Sequence, residues 1–366
     1  MTAPPAVGVA GKAEETAVTK GGLGQFPGIL IVGNFLSAAG IPGPCEALSA
    51  KLGVAGWRVV QTSAQRRPVL KLLDMLSTAW VRRRTYQVAA VEVYSGRAFL
   101  WAEAVCMLLR LLGKPVVLSL HGGQLPAFAR RAPGRIRRLL NAAAWVTTPS
   151  HYVREQLTAY RADIEYLPNA IELHRYPYTH RARPASRLVW LRAFHEIYNP
   201  TMAVDVVALL RGAFPDIHLT MVGPDKGDGS YEKVRAHVHR QGLAEHVTFA
   251  GTVPKERVPE YLEKGDIFIS TTRSESFGIS TMEAAAQGLC IVTTSVGELP
   301  YLWVQDENAL LVPPDDAPAM ASAVRRLLTE PALGARLSKN ARENAEQFGW
   351  NVILPHWQRI LQMVRG

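Results

Sequence analysis

The chain has 366 residues, of which 48% are hydrophobic and 20% charged, and its formal net charge is +10. This length exceeds the size at which one hydrophobic core usually stops growing, so the sequence predicts two domains. The composition is ordinary for a globular protein and excludes a fibrous or low-complexity chain. The most apolar stretch, AFLWAEAVCMLLRLLG, contains Glu103 and Arg110 and is too short to span a bilayer, so it predicts a core helix.

Residues 1–25 combine small residues, glycines and mixed charges without an apolar block after a basic start. We therefore expect a flexible leader and not a signal peptide. Cys45, Cys106 and Cys290 lie far apart and show neither a pairing pattern nor metal-ligand spacing. This usage fits a reducing compartment, so we expect a cytoplasmic protein.

Apolar runs rich in Val, Ile and Leu alternate with helical patterns from residue 26 onward. The strands predicted in the first series are GILIVGN, WRVVQTS, YQVAAVEVYS, KPVVLSLHGG and AAWVTTPS. Residues 44–56 predict a helix with Pro44 near its first position. Strands of this kind, separated by helices, indicate a parallel sheet covered on both faces.

The polar, proline-containing segment 181–187 predicts a linker, and a second strand series follows it. Its predicted strands are RLVWLRAF, IHLTMVG, VTFAG, DIFISTT and LCIVTTS. The sequence therefore predicts an α/β fold with two doubly wound, Rossmann-like domains in succession. Because open α/β sheets bind ligands outside the carboxyl ends of their strands, we expect a ligand between the two domains.

The glycine cluster GGLGQFPG does not indicate a dinucleotide enzyme. These glycines precede the first predicted strand instead of following it, and no acid ends WRVVQTS to hold a ribose. Nicotinamide chemistry is therefore disfavoured.

The stretch TTRSESFGISTMEAAAQG places Glu275 and Glu283 with seven residues between them. Taken alone, STME fits a capping box in which Ser280 and Glu283 satisfy amides of a first helical turn, with Gly288 ending that helix. Glu275 would then be an exposed loop acid. Alternatively, the stretch runs from a strand into a helix amino end, where backbone amides favour an anion such as phosphate.

The segment ESFGISTMEAAAQGLCIVTTSVGELPYL resembles the signature of the family 4 retaining glycosyltransferases, which have the GT-B fold. Further similarity lies in LPNAIEL, MVGPD, VTFAGTV and ENALLVPPDD, in the family's order. HGGQLP, LRAFHEIYNP and MVGPDKGDG resemble a bacterial subgroup that assembles exopolysaccharides and other surface glycans. The resemblance implies two Rossmann-like domains facing across a cleft, at 26–182 and 183–346. It also implies a terminal helix, about 347–366, that returns to the first domain, where Trp350 and Trp357 would be packing residues or, alternatively, membrane contacts.

The resemblance implies that a nucleotide sugar, with UDP or GDP expected, binds mainly to the second domain. The residue matching the family's first glutamate, Glu275, would contact sugar hydroxyls, and Glu283 would bind the ribose hydroxyls. A carboxylate accepts charge-assisted hydrogen bonds from a vicinal diol, which gives both roles a physical basis. Amides near Phe277, Gly278, Ile279 and Ser280 would hold the sugar and the diphosphate.

The family usually places an Arg and a Lys in the loop after the first strand of the second domain. Arg192 matches the arginine, which would stabilise the leaving diphosphate, but the loop contains no lysine. Lys226 is a candidate substitute or, alternatively, a solvated loop residue.

Three first-domain residues match family positions near the donor. Gly40 and Gly43 correspond to the glycine loop after the first strand, whose amides would approach the phosphate, although an ordinary strand-to-helix turn also favours glycine. His121 corresponds to a histidine near the donor sugar and acceptor, although a lone His is often structural.

No Asp-x-Asp occurs, and DKGD has the wrong spacing, so we expect no metal requirement. The resemblance implies retention by front-face attack, in which the leaving phosphate takes the acceptor proton.

Basic residues concentrate in one segment of the first predicted domain. Residues 66–138 contain fourteen Lys or Arg and three acids, so the rest of the chain is nearly neutral. Because Leu, Met and Trp are interleaved with these cations, we expect peripheral binding to an anionic membrane that presents a lipid-linked or glycan acceptor. A solvated basic face is the alternative. No aromatic platform or groove-reading motif supports nucleic-acid binding.

Two other functions share the predicted fold. One is a nucleotide-sugar epimerase, and the other is a non-catalytic nucleotide-sugar binding protein, which the missing lysine would permit. Incubation with nucleotide sugars separates them from a transferase, because only a transferase moves or slowly hydrolyses the sugar.

Overall fold

The structure is a computed structural model that describes residues 26–36 and 43–365. Two six-stranded, fully parallel sheets organise this part of the chain. The first sheet has the order β2-β1-β3-β4-β5-β6, and the second has the order β12-β11-β10-β7-β8-β9. These sheets confirm the predicted α/β architecture. The leader 1–25 and Gly40 lie outside the described residues.

The first six strands of the chain form the first sheet, and the next six form the second. The first sheet contains β1 (Gly28–Val32), β2 (Arg58–Thr62), β3 (Val88–Val93), β4 (Val116–Leu120), β5 (Trp145–Thr148) and β6 (Glu165–Tyr166). The second contains β7 (Arg187–Leu191), β8 (His218–Val222), β9 (Val247–Gly251), β10 (Ile267–Ser270), β11 (Cys290–Thr294) and β12 (Leu310–Val312). Ten of these strands were predicted. Sequence analysis missed β6 and β12, which have two and three residues and are too short to show a pattern.

Helices cover both sheets, and we call each sheet with its helices a lobe. The first lobe carries α1 (Pro44–Val54), α2 (Pro68–Val81), α3 (Arg97–Leu111), α4 (Leu125–Arg131), α5 (Pro133–Ala142) and α6 (His151–Leu157). The second carries α7 (Pro200–Leu210), α8 (Ser230–Arg240), α9 (Val258–Glu263), α10 (Ile279–Ala286), α11 (Leu299–Leu302), α12 (Ala317–Thr329) and α13 (Pro331–Glu346). The last helix, α14 (Trp350–Arg365), returns to the first lobe.

Helix α14 is attached by its apolar face. Trp357 and Ile360 are buried in one cluster with Ile29 and Ile31 of β1, and Trp350 packs against the same cluster. Both tryptophans are therefore packing residues, as predicted.

Strand order determines where a ligand can bind. In each sheet the direction of strand addition reverses at one place, between β1 and β3 in the first sheet and between β7 and β10 in the second. The loops that leave neighbouring strands at such a point diverge and open a crevice at the carboxyl edge. The residues after β1, β3, β7 and β10 are therefore the candidates for ligand contacts.

The predicted linker at 181–187 is not a free connection. Arg181 is 6% exposed, and its guanidinium pairs with Asp266 just before β10. Arg187, the first residue of β7, pairs with the same carboxylate. Two charges of the predicted linker thus share one buried partner in the second lobe.

Candidate functional site

A cavity of about 540 Å³ lies between the two lobes. The first lobe contributes Gly43, Glu92 and His121 to its walls, and the second contributes Lys255, Ile279 and Glu283. The two lobes also touch beside it, since a Cβ built on Gly123 would lie 3.5 Å from Ser274 Oγ. The loop after His121 therefore lies against the loop that carries Glu275.

Arg192 and Glu275 form an ion pair at the reversal point of the second sheet. Arg192 follows β7 and Glu275 follows β10, the two strands between which the order reverses. Both side chains are largely buried, and desolvation lowers the pKa of Arg192. Arg192 Nε has no hydrogen-bond partner among the described residues. A buried guanidinium with a free donor is suited to an anionic ligand.

The Glu275 carboxylate is also fixed by its own loop. Its Oε1 accepts hydrogen bonds from the amides of Ser276 at 3.1 Å and Phe277 at 3.3 Å. Glu275 is therefore a buried, oriented acid and not the exposed loop acid of the alternative interpretation. The ring of Phe277 is buried against Phe348, so only the backbone of Phe277 faces the loop.

Glu283 is 3% exposed on α10, and its carboxylate forms an ion pair with Lys255. Tyr176 also lines this wall, and burial together with the nearby Glu283 charge raises the pKa of Tyr176. Two side chains, one cationic and one phenolic, thus converge on Glu283 at the cavity wall.

The capping-box prediction for this helix was wrong. The N-cap is Gly278, so Glu283 lies in the second turn and its carboxylate turns to Lys255. Ser280 Oγ is buried without a hydrogen-bond partner in the described part of the chain. The predicted end is confirmed, because α10 stops at Ala286 and Gly288 has φ +87°.

The amino end of α10 has the backbone form that a close ligand approach requires. Gly278 has φ +99°, and a Cβ there would lie 3.0 Å from Leu299 and 3.1 Å from Thr281 Oγ1. A side chain at Gly278 would therefore be strained. The first amides of a helix have no partner within it, so those of Ile279 and Ser280 remain the predicted phosphate donors.

His121 immediately follows β4 and is buried in the cavity wall. Its Nε2 lies 2.9 Å from Ser119 Oγ and 3.8 Å from Glu92 Oε1, and its ring stacks on Tyr94. Burial lowers the pKa of His121 below its ordinary value of 6.5, so the ring is neutral at pH 7.

Gly43 also lies at the cavity wall, as the N-cap of α1. Its amide donates to Glu46 Oε2 at 2.7 Å, which is the half of a capping box that glycine, without a side chain, can form. This bond favours the ordinary strand-to-helix turn over a phosphate-binding amide at Gly43.

Lys226 does not lie at the cavity. It is exposed in the loop after β8, where its amide donates to the carbonyl of Phe194. Two cations of the described residues do line the cavity, Arg175 and Lys255, and sequence analysis missed both; Lys255 is the one paired with Glu283. Its signal was its position four residues after β9, at the same carboxyl edge as the other candidate residues.

A second cavity, of about 410 Å³, lies in the first lobe between β1, β3, α2 and α3. Lys71 is 6% exposed in its wall, donates from Nζ to Asn34 Oδ1 at 2.5 Å and lies 5.6 Å from the Trp101 ring centroid. Burial lowers the pKa of Lys71. Lys71 is therefore a cavity residue and not part of the basic surface on which sequence analysis placed it.

Glu92 belongs to the walls of both cavities. Its side chain is 7% exposed, and its Oε1 has no hydrogen-bond partner among the described residues. A buried carboxylate oxygen without a donor is costly, so this position favours a ligand hydroxyl. Sequence analysis missed Glu92, whose signal is its place at the end of β3.

Most of the remaining cations between residues 66 and 138 lie on the surface. Ten of them are exposed: Arg66, Arg67, Arg82, Arg84, Arg97, Arg110, Arg130, Arg131, Arg137 and Arg138. Large apolar side chains of α2 and α3 are exposed beside them, including Leu73 at 57%, Trp80 at 52% and Leu111 at 78%. In the described ranges, no helix has both the length and the apolar character needed to cross a bilayer.

Comparison with known proteins identifies the family. Residues 45–175 match the family described as Glycosyltransferase Family 4, and residues 187–344 match Glycosyl transferases group 1. A D-inositol 3-phosphate glycosyltransferase of Arthrobacter sp. is 26% identical over 265 residues, which are 69% of this chain and 63% of that protein. The chain thus spans less than two thirds of that relative. A GDP-mannose-dependent alpha-(1-6)-phosphatidylinositol monomannoside mannosyltransferase of Mycolicibacterium smegmatis is 27% identical over 353 residues, with 88% of this chain and 87% of that protein covered.

Solved structures show the same fold. A sucrose-phosphate synthase from Thermosynechococcus elongatus has a TM-score of 0.77 at 18% identity, covering 93% of this chain and 99% of its own. HepE from Anabaena, in complex with UDP and glucose, has a TM-score of 0.74 at 15% identity, with 92% and 100% covered. The assignment to an exopolysaccharide subgroup stays a prediction. The chain belongs to the family 4 glycosyltransferases and has the GT-B fold.

Proposed function

We propose that the protein transfers a sugar from a nucleotide sugar to a lipid-linked or surface-glycan acceptor, retaining the anomeric configuration and requiring no metal. One observation carries the proposal. The carboxyl edge of the second sheet holds two buried acids, Glu275 and Glu283, each paired with a cation. This arrangement offers both the acceptors that sugar hydroxyls need and the cations that a diphosphate needs.

On donor binding, the two ion pairs would separate, and each of their charged groups would contact the donor instead. Arg192 and Lys255 would turn to the diphosphate, which releases the carboxylates for hydroxyl groups of the sugar and the ribose. Each charged side chain would thereby have a partner before and after binding: the cations would exchange a carboxylate for the diphosphate, and the carboxylates would exchange a cation for hydroxyl groups. No buried charge would be left without a partner. Lys255 would thus supply the cation that the loop after Arg192 lacks. The amides of Ile279 and Ser280 would add neutral donors at the helix amino end.

In the reaction, the bond between the anomeric carbon and the phosphate oxygen breaks while a bond to the acceptor oxygen forms on the same face. The acceptor proton passes to the departing phosphate, so no protein nucleophile takes part. Charge develops on that phosphate, where Arg192 and the amides of α10 would stabilise it. The neutral His121 would contact the sugar or the acceptor without adding a charge.

The second cavity fits the acceptor. It is lined by Lys71, Glu92 and Trp101, and through Glu92 it shares a wall with the cavity between the lobes. A hydroxyl group donating to Glu92 Oε1 would lie at the boundary between donor and acceptor. The aromatic and apolar lining, with a few polar groups, is typical of small-molecule sites.

The exposed faces of α2 and α3 would rest on an anionic bilayer. Apolar side chains such as Trp80 and Leu111 would enter the interface, and the neighbouring arginines would contact acidic headgroups. Each such cation contributes about 1 kcal/mol near an anionic surface. Because the second cavity lies between these same helices, a lipid-linked acceptor could reach it from the membrane.

The decisive experiment is a screen of UDP, GDP, ADP and TDP sugars by thermal shift and mass spectrometry. A bound donor raises the melting temperature by mass action, and transfer or slow donor hydrolysis shows up as a mass change. Interconversion of the sugar without transfer would indicate an epimerase instead. Failure of every donor to bind would contradict the proposal.

A further inference from the structure

We propose that Glu298 is a positioning residue that couples the contact between the lobes to the placement of Glu275. The proposal rests on the function proposed above. Glu298 is fully buried immediately before α11 in the second lobe. Its Oε2 accepts hydrogen bonds from two groups of the first lobe, Ser150 Oγ at 2.7 Å and the Tyr152 amide at 2.9 Å.

The backbone of Glu298 holds the donor-site loop directly. Its amide donates to the carbonyl of Glu275 at 3.1 Å. The preceding residue, Gly297, has φ +55°, and a Cβ there would lie 2.0 Å from the Glu275 oxygen. The peptide therefore packs against Glu275 without an intervening side chain. Glu298 is thus hydrogen-bonded to the first lobe through its carboxylate and to the backbone of Glu275 through its amide.

The rest of α11 reinforces this connection. The ring of Tyr301 stacks on His151 at 5.7 Å, and its hydroxyl donates to Glu155 Oε2 at 2.5 Å, both in α6. Leu299 lies beneath Gly278 at the amino end of α10. A rotation of the first lobe that moved α6 would therefore be transmitted to both Glu275 and α10.

The chemistry of Glu298 indicates more than packing. Its Oε1 is buried and has no hydrogen-bond partner within the described ranges. If this position served only for packing, an apolar side chain could fill the space without the free-energy cost of burying a charge. A carboxylate that accepts two bonds from the other lobe gives a fixed direction and distance, which an apolar contact does not. Reacting groups must be placed to within about 1 Å, since larger errors cost on the order of 100-fold in rate.

The test compares Glu298→Ala and Glu298→Gln with wild type, using the best donor from the screen above. We measure kcat and KM for the donor, together with the melting temperature. The Ala variant should lose roughly 10-fold to 100-fold in kcat with a smaller change in donor KM, because the donor still binds but Glu275 is misplaced. The Gln variant should keep most of the rate, because its amide oxygen can accept both bonds.

Two further variants separate positioning from stability. Tyr301→Phe removes the reinforcing hydroxyl contact to Glu155 but keeps Glu298 and the ring stacked on His151, so kcat should fall much less than in Glu298→Ala. Ser150→Ala removes one donor to Glu298 from the first lobe and should lower kcat partially, even if Glu298→Ala fails to fold. A wild-type kcat in a folded Glu298→Ala, or equal losses in the Ala, Gln and Tyr301→Phe variants, would overturn the proposal. If wild type itself binds no nucleotide sugar, the proposed function fails instead.

Discussion

Lys255 and Glu283 form an ion pair on the inner wall of the cavity between the lobes, although one belongs to the loop after β9 and the other to α10. The pair places a cation beside the acid that corresponds to the ribose contact of the family. Lys255 is therefore our proposed substitute for the lysine that the loop after Arg192 lacks.

Lys255→Met should weaken donor use. Since a charged hydrogen bond to the diphosphate contributes about 1.5 to 3 kcal/mol, we expect kcat/KM to fall by roughly 10-fold to 100-fold. Lys226→Met is the matched control, because Lys226 is exposed outside the cavity. Steady-state kinetics with a single donor measure both variants. A large loss for Lys226 with none for Lys255 would contradict the assignment.

Glu275→Gln should abolish most transfer while the protein stays folded. The amide cannot accept charge-assisted bonds from the sugar, and we expect a loss on the order of 100-fold or more in kcat. Glu275→Ala is a poorer test, because it leaves the largely buried Arg192 unpaired and should cost about 3 kcal/mol or more of stability. The exposed Glu245→Gln serves as control for kinetics and thermal unfolding. Near-normal turnover of Glu275→Gln would remove Glu275 from the site.

Filling the second cavity should separate acceptor use from donor use. Ala98 lines this cavity, so Ala98→Trp should lower transfer to acceptor at least about 10-fold while slow donor hydrolysis and nucleotide binding persist. Leu100→Trp is the control on the same helix, since Leu100 is 52% exposed. Product analysis by mass spectrometry distinguishes transfer from hydrolysis. Parallel loss of both activities would mean that the cavity does not hold the acceptor.

Membrane binding should depend on the exposed apolar residues of α2 and on the charge of the lipid. Leu73→Glu combined with Trp80→Glu should reduce flotation with anionic vesicles in low salt. Leu209→Glu with Val304→Glu is the matched pair, because both residues are about half exposed but lie in the second lobe. Equal recovery with neutral and anionic vesicles would rule out an electrostatic surface contact.

The buried His121 should make stability depend on pH. Its pKa is lowered in the folded state, so between that value and 6.5 the unfolded chain binds a proton that the folded chain does not. The free energy of unfolding should therefore decrease as the pH falls below 6.5. His121→Gln should flatten this dependence, whereas the exposed His239→Gln should leave it unchanged. Denaturant titrations between pH 5 and 8 measure the effect, and parallel curves for wild type and His121→Gln would refute it.

The local pattern was enough to predict the main elements of the fold. Apolar runs of five or six residues identify strands such as β1 and β3 because parallel strands are buried on both faces. Pro44 marked the start of α1, because proline fixes φ at a helical value and needs no amide partner in the first turn. Gly288 marked the end of α10, because glycine readily adopts the positive φ that follows a helix. The two short strands carried too few residues to leave a pattern.

The partners of individual side chains could not be predicted from the local sequence pattern. The capping box failed because α10 begins at Ile279, two residues before the predicted first turn. The polar pattern of residues 181–187 likewise did not show that Arg181 and Arg187 share Asp266 at the amino end of β10. Lys71 was counted as a surface cation, yet its side chain points into a cavity between α2 and α3.

The sequence by itself determined the class of fold and the two strand series, because these depend on residue type and spacing along one chain. Its resemblance to a family also singled out Glu275 and Glu283, the two acids that we propose for the donor site. Only the tertiary structure decided that Lys255 faces Glu283, that Glu92 lies between two cavities and that Glu298 bridges the lobes. These contacts join residues far apart in the chain. They follow from which strands lie side by side, and that order is set by the packing of whole sheets and helices.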